Sequence, residues 1–254
     1  MVLNERDLIE GFHTMGLKTG DLVLIHSSLS SFGTVKGGAA TVVAALCHTV
    51  GEEGLAIFPT LTGKETDSPL HPPVFDVKET PCWTGRIPEY ARGRKEAKRS
   101  LHPTHSVSAI GNRKEELTAG HETGASPCDA HSPYYKNAML GGYILLVGVD
   151  EESNTTIHCC EELAQVPYHL QKEETVMTVS DYDGKEVTVK NRLHDWTKPE
   201  TDFNRIEPLL ESCHAVRRGK IGNSSIRLIR ADRMLEAVVS KLKEDPYYLL
   251  KERR

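Results

Sequence analysis

An α/β domain with a central mixed, mostly parallel sheet flanked by helices is the fold this chain predicts, on three observations. Short continuous apolar runs at 22–25, 55–58 and 143–149 lack the alternation of a half-exposed strand, so each reads as a strand covered on both faces. Segments with a helical period, at 5–16, 39–50 and 231–243, fall between or after those runs. An Asp183-Gly184 pair set between alternating segments marks a β-hairpin insertion. The 254 residues suffice for one large core, and no repeat or low-complexity tract divides them, so residues 1–254 are read as a single domain with long active-site loops.

In chain order, residues 5–16 carry Leu8, Ile9, Phe12 and Met15 at helical spacing behind an Asn4 cap, and Gly16 and Gly20 bracket the next turn. Leu22-Val23-Leu24-Ile25 is the first buried strand and runs into His26-Ser27-Ser28. A helix at 39–50 follows, through Val42, Val43, Ala45, Leu46 and Val50. It closes on Gly51 and Gly54 before the strand Leu55-Ala56-Ile57-Phe58. Residues 60–81, rich in Thr, Asp, Pro and His, have no clear period and read as a long loop in a substrate wall. A helix resumes at 84–95 with Ile87, Tyr90 and Ala91, and Pro103 forces extended or turn backbone at His102. A second loop, at 112–131, precedes Ser132-Pro133, where proline suits the first turn of a short helix.

The run from Tyr143 to Val149 is the clearest strand, and Ser153-Asn154-Thr155-Thr156 then offers a helix start that sets His158 near a helix N-terminus. After the hairpin, read with a type I′ turn at Asp183-Gly184, come a helix around 202–213 and the Gly219-Lys220-Ile221-Gly222-Asn223 turn. A strand at 225–229 and the closing helix at 231–243 follow.

Charge excludes one class of function. Lys+Arg number 31 against 36 Asp+Glu, a formal charge of -5, so no basic field exists to hold nucleic acid. The mild acidity suits a small cationic substrate and equally an ordinary solvated surface. Six cysteines without a CxxC pair read as reduced thiols of a cytoplasmic protein. The N-terminus lacks a basic and then apolar leader, and no run approaches the roughly 18 apolar residues of a membrane span, so a cytoplasmic protein with no membrane partner is expected.

Among twelve histidines, His158 stands out because it follows the most apolar strand, and open α/β sheets present ligands at the carboxyl ends of their strands. An imidazole with a pKa of about 6.5 suits proton abstraction near neutrality. The bland alternative is a histidine packed at a helix end. A base histidine gains from a carboxylate on its other nitrogen; Asp195 is the first choice and Glu161, three residues along the same helical face, the local rival. Ser27-Ser28-Leu29-Ser30-Ser31-Phe32-Gly33 with Lys36-Gly37-Gly38 has the composition of an anion-binding turn before a helix, although such a stretch also serves as an ordinary connection. No Walker or GxGxxG pattern occurs. His102 and His105, with His121 and His131, are weighed as metal ligands and set aside because Pro103 breaks the alignment, so no metal is expected. Cys159 and Cys160 are weighed as nucleophiles and carry similarly little weight. A base and an anion cradle together suggest group transfer from a phosphorylated carrier.

Four segments together resemble the aminoglycoside 3-N-acetyltransferase family, the antibiotic acetyltransferases distinct from the GNAT fold. They are the run from His26 to Gly33 with Gly37-Gly38; Arg99-Ser100-Leu101-His102-Pro103 with Ser106 and Gly111; Leu145-Leu146-Val147-Gly148 with Asn154-Thr155-Thr156-Ile157-His158 and Glu161; and the Gly219 to Asn223 turn. The resemblance spans nearly the whole chain and implies acetyl-CoA as co-substrate, with no metal, and the 3-amino group of a deoxystreptamine ring as acceptor. It implies that Ser27, Ser28, Leu29, Ser30, Ser31, Phe32, Gly33, Val35, Gly37 and Gly38 hold pantetheine and phosphates with Ser106 nearby. His158 matches the family's catalytic histidine, and Asp195 falls where the family has an acidic partner. Direct transfer is expected, with His158 as base and the Thr156 hydroxyl helping at the oxyanion. Asp67, Glu161 and Glu162 are expected to bind the cationic sugar. Acetylation of a different amine, and coenzyme binding without turnover, are the alternatives; a homodimer is one assembly the reading admits.

Overall fold

Reciprocal capping starts the first helix. After β1 (Val2–Leu3), Asn4 donates its backbone N–H to Asp7 while Asp7 N–H donates to the Asn4 side chain, which fixes α1 (Glu5–Met15) until Gly16, at φ +106°, ends it. The chain, a computed structural model describing residues 2–252, continues through β2 (Leu22–Ser27), β3 (Thr34–Val35), α2 (Ala39–Val50) and β4 (Leu55–Pro59). The loop expected at 60–81 holds a strand, β5 (Val74–Asp76), too short for any period to betray. Next come α3 (Arg86–Arg92), β6 (Lys98–Arg99), β7 (Val107–Gly111) and α4 (Lys114–Thr118). Ser132 caps α5 (Pro133–Met139), whose proline stands in the first turn as expected.

Then follow β8 (Tyr143–Val147), α6 (Thr156–Ala164), β9 (Thr175–Ser180) and β10 (Glu186–Asn191). The β9–β10 hairpin closes through three residues, Tyr182-Asp183-Gly184, and not through a type I′ pair. Asp181 N–H reaches Lys185 O at 2.9 Å, and only Gly184 of the three has a positive φ, whereas type I′ needs two. The chain ends with α7 (Glu207–Ser212), β11 (Val216–Ile221), β12 (Ser224–Arg230) and α8 (Ala231–Glu244).

Seven strands form the main sheet in the order β11-β12-β8-β2-β4-β7-β6. Only β8, β2 and β4 pair in parallel; the outer pairs are antiparallel, so the sheet is mixed with a smaller parallel share than the apolar runs suggest. Alternate residues of the central strands feed two cores. Val23, Ile25, Ala56, Phe58, Leu145 and Val147 pack against α1, α2 and α3, while Leu24, Leu55, Ile57, Ile144 and Leu146 pack against the layer containing α5, α6 and α8. Two buried faces explain why those strands read as unbroken apolar runs. At about 1.5–3 kcal/mol for each fully buried aliphatic or Phe side chain, this packing holds the strand ends in fixed positions. A separate sheet, β10-β9-β5, closes over Phe75, Met177, Val179 and Val189.

The connection positions the site. From β2 the chain enters α2 on one face, and from the neighbouring parallel strand β8 it enters α6 on the other. The carboxyl ends of β2 and β8 therefore flank a topological switch point, where α/β sheets open a crevice.

Candidate active site

A cleft of about 530 Å³ occupies that crevice. Its floor comes from Ile25, His26 and Ser27 at the end of β2 and Pro59 at the end of β4, and one wall comes from Thr155 and His158. Asn154 sets this wall: its Oδ1 accepts from Thr156 N–H at 3.2 Å and its amide donates to Glu151 at 2.8 Å, so α6 starts with His158 in its first turn. Two exposed indoles, Trp83 and Trp196, also line the cleft.

His158 Nδ1 lies 2.7 Å from Glu161 Oε2. Glu161 is fully buried, and the same oxygen lies 3.2 Å from His169 Nδ1 and 4.0 Å from Lys198 Nζ. Burial pushes the His158 imidazole below its ordinary value, and Glu161 offsets part of that shift. His169 and His194 are pushed well down by burial, so all three rings favour the neutral form. Burial alone would raise the Glu161 carboxyl; His169, the His158 hydrogen bond and Lys198 outweigh it and hold Glu161 well below the usual carboxylate range. A neutral imidazole with an ionised carboxylate on Nδ1 is an arrangement that can accept a proton at its other nitrogen.

Nitrogens of His158, His169 and His194 lie within 4.8 Å of one another. The His158 and His169 rings are stacked, with centroids 4.8 Å apart and planes at 19°. Ring lone pairs lie in the plane, so these two run side by side and do not converge as tetrahedral zinc ligation needs. A second grouping, His105, Cys128 and His194, includes a thiol that burial raises well above its ordinary value.

Beside the cleft lies a second cavity of about 560 Å³, lined by Ser27, Ser28, Leu29, Ser30, Gly33, Val35, Gly38, Gly85 and Arg86. Ser27 and Gly85 line both cavities, so the groove leads into the cleft. Gly38, at φ +62°, stands at the N-terminus of α2, which has no side-chain cap, and leaves first-turn amides and the positive helix end beside the groove.

Several expected site residues fall elsewhere. Asp195 lines the cleft, but its carboxylate accepts from Thr197 N–H and Oγ1 at 2.9 and 2.7 Å; Glu161 is the carboxylate that touches His158. Glu161 is too deeply buried to meet a sugar. Glu162 is buried as well, accepts from Ser126 Oγ and Cys128 N–H, and is raised to about 8 by burial. Asp67 is turned to Lys64 N–H at 2.8 Å and lies outside the cleft wall. Thr156 points into the core with its hydroxyl unpaired, and Thr155 takes the wall position.

Of the expected coenzyme residues, Ser31 braces the turn through Ser28 O and Ser224 Oγ, and Phe32 is a core side chain. Gly37 allows the close approach of Thr41, and Ser106 is buried against Thr60 O and Arg99; neither residue lines the groove. His102, weighed as a metal ligand, instead accepts from the backbone of Thr104 and His105. His169, Lys198 and Phe203 are not singled out by the sequence; His105 is weighed there only as a metal ligand, and His194 is not read there as a site residue. They arrive from remote positions, on loops and, for Phe203, at the start of a short 3-10 helix, and no local spacing links them.

Comparison with known proteins places the chain among relatives. A family model described as aminoglycoside 3-N-acetyltransferase matches residues 24–243. The chain is 32% identical over 246 residues to the SPbeta prophage-derived aminoglycoside N(3')-acetyltransferase-like protein YokD of Bacillus subtilis (strain 168), covering 88% of this chain and 86% of that one. The solved aminoglycoside acetyltransferase AAC(3)-IVa apoenzyme superposes with a TM-score of 0.83 at 25% identity, over 99% of this chain and 93% of that one. The AAC-IIIb binary complex with CoASH shares the fold, with a TM-score of 0.81 at 22% identity over 100% of both chains.

Proposed function

The chain belongs to the aminoglycoside 3-N-acetyltransferase family, and on that premise we propose that it transfers acetyl from acetyl-CoA directly to the 3-amino group of an aminoglycoside. One observation carries the reading: two cavities meet at Ser27 and Gly85, one walled by His158 and the other by the serine-glycine turn. AAC-IIIb, which shares the fold, was solved in complex with CoASH, and this supports the coenzyme as the acetyl carrier. Pantetheine lies along Ser28, Leu29, Ser30, Gly33 and Val35, and the phosphates meet the Gly38 end of α2 and the Arg86 guanidinium. The thioester then passes the Ser27–Gly85 junction into the cleft.

His158 takes a proton from the acceptor nitrogen as that nitrogen attacks the thioester carbon. The C–N bond forms, the C–S bond breaks, and His158 returns a proton to the leaving thiolate. Glu161 fixes the tautomer and stabilises the transient imidazolium. The positive end of α6, presented by Thr155, favours the developing oxyanion. Asp195 and Glu152, which line the cleft, meet the acceptor's ammonium groups, and the Trp83 and Trp196 faces pack on the sugar rings. The test is thiol release from acetyl-CoA with a panel of aminoglycosides, followed by location of the acetyl group on the product. Release with deoxystreptamine drugs, acetylated at the 3-amino group, is expected. Release only with other amines, or a stable acetyl-protein that goes on to react, overturns the proposal.

A further inference from the structure

Glu161 is a negative charge sealed in the interior, and its neighbours decide whether it stays one. Its Oε2 lies 2.7 Å from His158 Nδ1, 3.2 Å from His169 Nδ1 and 4.0 Å from Lys198 Nζ. An anionic oxygen only accepts, so both imidazoles turn a protonated Nδ1 to it, which leaves His158 Nε2 unprotonated, as a base requires. Burial favours the neutral form of both rings, so they offer N–H dipoles and no net charge. Tyr168, Cys160 and Glu162, the other ionisable groups around Glu161, bring no positive charge either. Among the described residues, Lys198 is therefore the one ammonium or guanidinium in an ion pair with Glu161. Taking a carboxylate out of water without a compensating charge is costly.

The backbone sets Lys198 in this place. It arrives on the 192–202 loop, which is stitched to the 165–174 loop: Gln171 N–H donates to Leu193 O and Asp195 N–H to His169 O, both at 2.8 Å. Asp195 then folds the next turn, its Oδ1 accepting from Thr197 N–H at 2.9 Å and its carbonyl from Lys198 N–H at 3.3 Å. Lys198 Nζ lies 5.6 Å from the centroid of the Phe203 ring, which itself meets the His158 ring edge-on at 5.4 Å. Nζ also comes within 3.5 Å of His169 Nδ1, because both face the same oxygen. Asp195, expected from the sequence to partner His158, thus acts at one remove by shaping the turn that delivers the cation.

We infer that Lys198 is a positioning residue of the transferase: its ammonium supplies the counter-charge that keeps Glu161 an anion, and through Glu161 it holds His158 in the tautomer that leaves Nε2 free. The inference rests on the reading of His158 as the base. His158 is faced by Glu161 from its own helix, by His169, His194 and Lys198 from the two loops, by His105 from the segment between β6 and β7, and by His26 from the end of β2, with Asp195 and Glu152 on the cleft wall. Of these only Lys198 is an ammonium. It pushes the His158 imidazole down and the Glu161 carboxyl down as well, so its removal raises both. The acid limb of the pH profile therefore moves up whichever of the two groups governs it. That is the direction opposite to the one expected for loss of the Glu161 charge.

The test compares full-length wild type with Lys198→Met, Lys198→Gln and Lys198→Arg by two readouts. The first is kcat/KM for thiol release from acetyl-CoA with an aminoglycoside acceptor across the acid limb. The second is the NMR titration of the His158 ring in nitrogen-labelled protein without substrates, its signal identified by its loss in His158→Gln. In the Met and Gln variants the acid limb and the His158 titration should both rise by about one pH unit, with KM for acetyl-CoA unchanged because Lys198 lies outside the coenzyme groove. The Arg variant, which keeps the charge, should leave both where wild type has them. A limb or titration that stays put or falls in the Met and Gln variants overturns the inference, as does an Arg variant displaced as far as the Met one. A merely structural role would scale the rate at every pH and displace neither curve. Should the Met variant not fold, the Gln variant decides. Wild type that releases no thiol with any acceptor defeats the transferase reading, while the titration still decides the charge pairing; an active wild type beside unmoved Met and Gln titrations defeats this inference alone.

Discussion

Replacing Glu161 by Gln preserves volume and a hydrogen bond to His158 while removing the charge that the structure sets 2.7 Å from Nδ1. The carboxylate is fully buried, so solvent screens the pair little. A hydrogen bond to a charged partner contributes about 1.5–3 kcal/mol, and here it strengthens when His158 becomes imidazolium in the transition state. At about 1.4 kcal/mol per tenfold, Glu161→Gln should lower kcat by roughly 10- to 150-fold. KM for acetyl-CoA should hold, because Glu161 lies outside the coenzyme groove. The pH profile gives a second, signed readout. Burial lowers the His158 pKa and Glu161 raises it, so loss of the carboxylate lowers it further. The acid limb of kcat/KM should move to lower pH while the plateau falls. Thiol-release kinetics between pH 5 and 8 measure both effects. A plateau within twofold of wild type, or an acid limb displaced upward, refutes the pairing.

Three other outcomes follow from the same geometry. Arg86→Ala removes an exposed cation from the coenzyme groove, and an exposed charge contact is worth about 1 kcal/mol; KM for acetyl-CoA should rise about fivefold with kcat unchanged, as steady-state kinetics would reveal. Gly148 has φ +63°, and an added Cβ would fall 2.0 Å from Ser31 Oγ, the atom that ties the serine turn to Ser28 O and Ser224. Gly148→Ala should cost at least about 1–2 kcal/mol, seen by calorimetry as a drop in Tm of about 2–8 °C, and should weaken acetyl-CoA binding. Glu162, with a folded pKa of about 8 against an ordinary 4.5, binds more proton folded than unfolded. Its contribution is complete below about pH 4.5 and is lost as pH climbs towards 8. Urea denaturation should accordingly find Glu162→Gln gaining stability relative to wild type between pH 5 and 8, and a pH-independent difference would count against the buried, protonated carboxyl.

The parts of the fold that showed in the sequence are those whose burial is local and periodic. β2, β4 and β8 are covered on both faces and so appear as apolar runs, and α1 announces itself through Asn4, Asp7 and Gly16. β5 and β6 have three and two residues, too few for a period. β11 carries Arg217, Arg218 and Lys220 at the sheet edge, where exposure erases the apolar signal, so it passed as part of a turn. At the site, His158 was legible because it follows β8, and Glu161 because three residues is one helical turn. Asp67 and Glu162 were chosen for their charge, which says nothing about burial. His169, His194 and Lys198 come together only because the loops at 165–174 and 192–202 fold over α6, and nothing in their own sequence encodes that path.

The central claim is that the neutral imidazole of His158 deprotonates the acceptor amine beside the coenzyme groove. Its most direct test is single-turnover thiol release by His158→Ala with a saturating aminoglycoside, together with calorimetric binding of CoA. The account predicts that transfer falls by about 10²–10⁴-fold while CoA binds as tightly as to wild type. Transfer at the wild-type rate with CoA bound would contradict it.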